Sequence, residues 1–311
     1  MKRFLVVIAL ALLALCGCQR GSDRNTGRPR IALVLKTLNN PFFIDMQHGA
    51  EEAARRLGVD LIVQAAEREI DVDKQLQIVE NLIQSKIDAI CITPSGSREI
   101  VPAVVKANQA HIPVVIVDTR VDAATLKEAG GVIAAFIGSD NFEGGKLAGE
   151  FIVKALGGKG SVAILEGIPG HETGDSRLRG FHSVVDGQTG LKIVASQPAN
   201  WERDQGFNVF QNILQSHPDL KAVFACSDLM ALGAVEAIRA AKRDNIIVVG
   251  FDAFSEAQDA VKAGTMHATI AQSPSTMGAL AVENALHALR GEPLQENIQV
   301  NIKLVTKENA S

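Results

Sequence analysis

The chain has 311 residues, 47% of them hydrophobic, with 35 acidic against 31 basic side chains. A formal charge of −4 gives no basic footprint for nucleic acid, and the length suits two lobes that each bury a core of their own.

Chain order begins with Lys2 and Arg3, followed by an apolar run from Phe4 to Leu15. The run is too short to span a bilayer comfortably and reads as a secretion signal. It ends in Leu15-Cys16-Gly17-Cys18, which resembles the bacterial lipobox. That resemblance makes Cys18 the lipid-acceptor residue, because Cys16 would need Leu15 at the small-residue position. Residues 1–17 are then the signal peptide and 18–29 a polar tether. The protein is expected to be exported and lipid-anchored, in a periplasm or on the outer face of the cell membrane, touching the membrane only through the anchor.

Ile31 to Leu35 is a short apolar run of the kind buried on both faces of a parallel sheet. Lys36 stops it, and Thr37, Asn39, Asn40 and Pro41 supply turn chemistry. Asn40 before Pro41 fits an N-cap followed by proline in the first helical turn. Phe42, Met46, Ala50, Ala53 and Leu57 then recur at helical spacing. Further strand-like runs lie at 60–64, 88–92, 113–117, 133–137, 161–165, 191–195, 222–225, 246–250, 266–271 and 302–305. Helix-period segments lie between them at 72–85, 99–110, 143–156, 204–215, 229–241, 255–263 and 276–290. The alternation is that of parallel sheets with right-handed crossovers, an α/β fold.

Polar and aromatic residues recur where the strands end, which is where open α/β sheets bind ligands. Lys36, Asn40, Phe42 and Phe43 follow the first run, and Asp118 ends Val-Val-Ile-Val. Arg177 follows the loop Gly167–Gly174, Trp201 follows Gln197-Pro-Ala-Asn200, and Ser227 follows Ala-Cys226. Asp252 ends Val-Val-Gly-Phe and Gln272 ends Ala-Thr-Ile-Ala. Asp140 and Asp228 read as helix N-caps and Asp175 as a loop residue. Carboxylates, amides and an arginine can take adjacent sugar hydroxyls, and aromatic rings can cover the C–H faces. Cys91 and Cys226 fall in different lobes and read as buried free thiols.

Lys36-Thr-Leu-Asn-Asn-Pro-Phe-Phe43, Ser196-Gln-Pro-Ala199, Ala231-Leu-Gly-Ala234, Val248-Val-Gly-Phe-Asp252 and Ala268-Thr-Ile-Ala-Gln272 resemble the ribose- and allose-type periplasmic sugar-binding proteins of ABC importers. The resemblance spans about Arg30 to Lys307. It implies two Rossmann-like lobes joined by three hinge crossings, an N-terminal lobe of 29–139 plus 273–301 and a C-terminal lobe of 140–272 plus 302–311. It also implies that Asn40, Asp118, Arg177, Asp252 and Gln272 bond sugar hydroxyls and ring oxygen between Phe42 and Phe43 on one side and Trp201 on the other. Lys36 stands where the ribose type has serine and agrees with the allose type. Thr119 replaces an arginine or glutamate, and Ser227 replaces an asparagine. These departures favour a hexose-sized aldose, ketose or cyclic polyol, with ribose weaker. Asp122 and Leu126-Lys-Glu-Ala-Gly-Gly131 are also allose-like but lie outside the site.

The expected partners are a monosaccharide or polyol and an ABC permease, with a chemoreceptor or sensor as the alternative reader of the closed form. A monomer is expected. A repressor of related fold would need a helix-turn-helix domain where only a signal and tether precede the first strand. An enzyme is not expected. His48, His111, His171, His182, His217, His267 and His287 are scattered, with no serine or cysteine nucleophile setting beside them. No zinc-type spacing or phosphate-cradling glycine motif appears, so no metal and no cofactor is expected.

Overall fold

The structure, a computed structural model, describes residues 27–310. The signal segment, Cys18 and most of the tether lie outside the described residues.

Strand β1 (Arg30–Leu35) shows why an unbroken apolar run suits its place. Ile31, Leu33 and Leu35 point into one helical layer and Ala32 and Val34 into the other, and all five are fully buried. Around it lie β2 (Asp60–Ala65), β3 (Ala89–Ile92), β4 (Val114–Val117), β5 (Ala135–Ser139) and β11 (Asn297–Val300), in the order β11-β5-β4-β3-β1-β2. Every pairing in this sheet is parallel. Helix α1 (Pro41–Leu57) and helix α10 (Pro274–Leu289) cover one face through Met46, Ala50, Met277 and Ala281. Helices α2 (Val72–Gln84) and α3 (Val101–Gln109) cover the other through Ile78, Val79 and Val104, and the short α4 (Ala123–Glu128) follows β4.

A second sheet repeats the plan with β6 (Gly160–Glu166), β7 (Leu191–Pro198), β8 (Leu220–Ala225), β9 (Ile247–Asp252), β10 (Ala268–Ala271) and β12 (Lys303–Thr306), ordered β12-β10-β9-β8-β6-β7. Only β12 runs antiparallel to its neighbour among these described strands. Its helices are α5 (Asn141–Ala155), α6 (Glu172–Val185), α7 (Arg203–Ser216), α8 (Asp228–Ala240) and α9 (Ser255–Ala263), packed over a core that includes Ile152, Phe181, Phe210, Phe224 and Phe251. The chain passes between the sheets after Ser139, after Ala271, and between Val300 and Lys303. This is the α/β, two-lobed architecture expected from the alternation of runs. Cys91 and Cys226 belong to different sheets, and both are buried free thiols whose pKa burial pushes up.

Four elements differ from the sequence reading. Helix α6 was not expected: Gly174 and Gly180 interrupt its pattern, and its buried face carries Thr173, Ser176 and Arg177 rather than an apolar stripe. Asp175 therefore lies in the first turn of α6 and not in a loop. Strand β11 is an edge strand with three of its four residues at least partly exposed, so it carries no apolar run, and α4 buries no residue at all. Asp228 is not the N-cap of α8. Ser227 is, its hydroxyl accepting from the Met230 N–H at 3.4 Å, while Asp228 is fully buried and accepts from the Thr269 hydroxyl at 2.7 Å. Asp140 does cap α5, accepting from the Glu143 N–H.

Candidate ligand-binding site

In each sheet the strand order reverses beside the first strand, β1 in one and β6 in the other, and a crevice opens at the carboxyl ends there. The two crevices face one another. A cavity between them is lined by Lys36, Asn40, Phe42, Phe43, Glu69 and Asp118 from the first half and Thr173, Arg177, Trp201, Ser227, Asp252 and Gln272 from the second. All ten side chains singled out from the sequence thus meet in one place. Glu69 and Thr173 were missed. Glu69 had a usable signal, since it follows β2 on the same side as the other strand ends.

On the first side, Asn40 has two tasks. Its carbonyl oxygen caps α1 by accepting from the Phe42 N–H at 3.0 Å, and its amide donates to Glu69 Oε1 at 3.0 Å, leaving one N–H for a ligand. The Lys36 ammonium sits 3.7 Å from Glu69 Oε2 and 3.6 Å from Asp118 Oδ2, with all three side chains buried. Burial pushes the Glu69 carboxyl up, and Lys36 and the Asn40 bond pull it back down. Phe42 and Phe43 meet edge to face, 5.3 Å between centroids. Thr119 turns its hydroxyl onto Asp118 Oδ2 at 3.0 Å, and Arg120 lies on the Phe136 ring at 3.7 Å and donates to Asn297, so neither side chain lines the cavity.

Arg177 organises the second side. It stacks on Phe251 at 3.6 Å, donates from Nε to Asn141 Oδ1 at 2.9 Å and from Nη1 to the Cys226 carbonyl at 2.6 Å, and lies 3.9 Å from Asp252 Oδ1. Gln272 donates to the same Asp252 oxygen at 2.7 Å. Burial drives the Asp252 carboxyl up, opposed first by Arg177 and then by the Gln272 bond. The Trp201 ring occupies space that only glycine could leave at 167: a Cβ there would fall 1.9 Å from the indole. Asp118, Trp201 and Asp252 hold φ of 64°, 66° and 119°, conformations that cost non-glycine residues about 1–3 kcal/mol each. The surrounding structure holds the strain at these three cavity residues.

A larger recess of about 590 Å³ lies at the mouth of the cleft, lined by Arg98, Glu99, Asp122, Glu172 and Arg179 among others. Its charges are exposed or partly exposed to solvent and no Phe or Trp ring lines it, so it lacks the desolvated charges and the stacking surface that a sugar site needs. The smaller cavity has both. No group of three or more His, Cys, Asp or Glu among the described residues is arranged to hold a metal.

Two sheets of one plan, with a buried polar cavity walled by aromatic rings between them, define a two-lobed protein that encloses a small polar molecule. A family model described as a periplasmic binding protein domain matches residues 31–293, and the chain belongs to that family. It is 38% identical over 315 residues to the ribose import binding protein of Bacillus subtilis (strain 168), covering 99% of each chain. It is 39% identical over 254 residues to the D-allose-binding periplasmic protein of Escherichia coli (strain K12), covering 81% of this chain and 82% of that one. A solute-binding protein of Actinobacillus succinogenes 130z, solved with D-allose bound, superposes with a TM-score of 0.85 at 41% identity, over 90% of this chain and 98% of that one. All three relatives are binding proteins, and this chain is a binding protein, not an enzyme.

Proposed function

We propose that this protein captures a monosaccharide or cyclic polyol in the cavity between its lobes and delivers it to an ABC permease. The observation that carries the reading is the cavity itself: two carboxylates, Asp118 and Asp252, the Arg177 fork, two amides and three aromatic rings converge from both halves. Carboxylates and amides suit paired hydroxyls, and the rings suit the C–H faces of a pyranose. Residues 29–139 plus 273–301 form one lobe and 140–272 plus 302–311 the other, and the three crossings act as the hinge. Sugar touching both lobes biases them toward closure, and the closed surface is what the permease reads. Lys36, which agrees with the allose type, and Ser227, shorter than the asparagine that it replaces, both line the cavity and support a hexose-sized ligand such as D-allose. The names of the similar proteins, which bind ribose or allose, support the same class.

The test is a thermal-shift screen over pentoses, hexoses and polyols, read in parallel by the emission of Trp201, the single tryptophan in a chain without tyrosine. A sugar bound only by the folded protein raises the melting temperature by mass action. D-allose or another hexose-sized ligand is expected to give the largest shift and a saturable change in Trp201 emission. Stabilisation by ribose alone would overturn the hexose assignment, and stabilisation by no sugar the whole reading.

Export and anchoring through Cys18 belong to the same proposal, supported by Leu15-Cys16-Gly17-Cys18 after a basic and then apolar leader. Cys18→Ala is expected to move the protein from the membrane to the soluble fraction and to abolish fatty-acid labelling. An unlabelled wild type would exclude the anchor.

A further inference from the structure

Thr173 was not among the residues read from the sequence, and its hydroxyl is buried without a hydrogen-bond partner. In most helices a threonine hydroxyl returns to a carbonyl one turn back, or caps the helix when it stands just before the first turn. Neither use is open here. Thr173 is the second residue of α6, so the residue four back lies in the preceding loop, and the N-cap position belongs to His171.

The placement puts Thr173 on the cavity wall. Thr173 and Arg177 are four residues apart on one helix and share a face, and both line the cavity. A Cβ placed on Gly174 between them would come within 3.2 Å of the Trp201 ring, so the first turn of α6 lies against the aromatic wall. Across the cavity wall, Gln272 Oε1 is also buried and unpartnered, although its amide nitrogen is bonded to Asp252. Trp201 Nε1 is a third such atom, and buried polar atoms are almost always paired, so three orphans on residues lining one cavity point to a polar ligand that fills it.

We infer that Thr173 is a specificity-determining contact, whose hydroxyl pairs with one hydroxyl of the bound sugar. The inference rests on the sugar-binding reading above. Thr173 donates or accepts as required, so it demands a hydroxyl at one ring position without fixing whether that hydroxyl gives or takes the proton. A ligand deoxygenated at that position would leave Thr173 unpaired in a closed site.

The experiment uses D-allose as the probe, with the full chain and the near-isosteric Thr173→Val beside Thr173→Ser. Thr173→Val is expected to bind D-allose about tenfold more weakly, and Thr173→Ser within about twofold of wild type. The melting temperature without sugar should be unchanged in both, since the open cleft solvates the hydroxyl. A set of monodeoxy D-alloses then locates the partner. One of them should lose about tenfold on the wild type and nothing further on Thr173→Val, a coupling that a purely structural role would not produce. Equal D-allose affinity in Thr173→Val and wild type would overturn the inference and leave sugar binding intact, and so would deoxy losses that are the same on both proteins. A wild type that binds none of D-allose, D-ribose or myo-inositol would instead overturn the sugar reading, and this inference with it.

Discussion

Arg177→Met is expected to weaken sugar binding by about two orders of magnitude or more, the largest loss from any single change in the cavity. Three consequences add in one direction. The planar donor fork toward the ligand disappears, and a methionine offers no hydrogen bond in its place. Asp252 loses the cation that lowers its pKa, so burial drives it further up and converts an acceptor of hydroxyl protons into a neutral acid. The Cys226 carbonyl and Asn141 Oδ1 lose their donors, which loosens the junction between β8, α5 and α6 that shapes the second wall. Arg177→Lys should recover only part of the affinity, because an ammonium keeps the charge but not the stacked fork on Phe251. Calorimetric titration measures the loss, with urea unfolding in the absence of sugar to separate it from stability. Affinity within threefold of wild type in Arg177→Met would remove this residue from the site.

Most of the fold was legible because its strands are buried on both faces. An unbroken run as short as Ile31–Leu35, followed at once by turn residues, suits a strand buried on both faces, and the Asn40-Pro41 pair marks the helix start with two independent signals. The candidate site was legible for a topological reason: parallel strands put their carboxyl ends on one side, so Lys36, Asp118, Asp252 and Gln272 share a crevice wherever the helices between them lie. What escaped was set by contacts remote in sequence. Glu69 sits in the charged stretch Glu67-Arg-Glu69, and only Asn40 and Lys36, about thirty residues away, draw it inside. Asp228 looked like a helix cap because nothing local shows that Thr269 reaches it from β10. The left-handed turn at Asp118, which carries Thr119 and Arg120 away from the cavity, is equally silent in the sequence.

Acidification should weaken sugar binding through His171, and replacing it should remove that part of the pH dependence. His171 is 5% exposed, stands at the start of α6, and keeps Nδ1 without a partner. Contacts from the two halves meet beside it, with the Glu172 N–H donating to Ser97 Oγ at 3.4 Å. Burial is the main cause that lowers its pKa, from the ordinary 6.5 to about 3; the Lys36 ammonium adds to this, and a bond to the Ser95 backbone opposes it. The charged groups around the same recess are Arg98, Glu99, Asp122, Glu172, Asp175 and Arg179, and Lys36 is itself paired with Glu69 and Asp118. An opened cleft would return His171 to water and to its ordinary pKa. A group lowered on closure supports the closed form fully above 6.5, and that support is lost as pH falls toward 3. Between pH 7.5 and 5 the wild type should therefore lose affinity relative to His171→Gln by up to about thirtyfold. Asp252 and Glu69, both raised by burial, act in the opposite direction, their support fading as pH rises. They remain in both proteins, so the ratio of the two dissociation constants isolates the imidazole. Titrations of D-allose at half-unit intervals provide that ratio. Parallel pH profiles would show that His171 keeps the same protonation in the open and closed forms, and would end its role as the acid-sensitive element of the cleft.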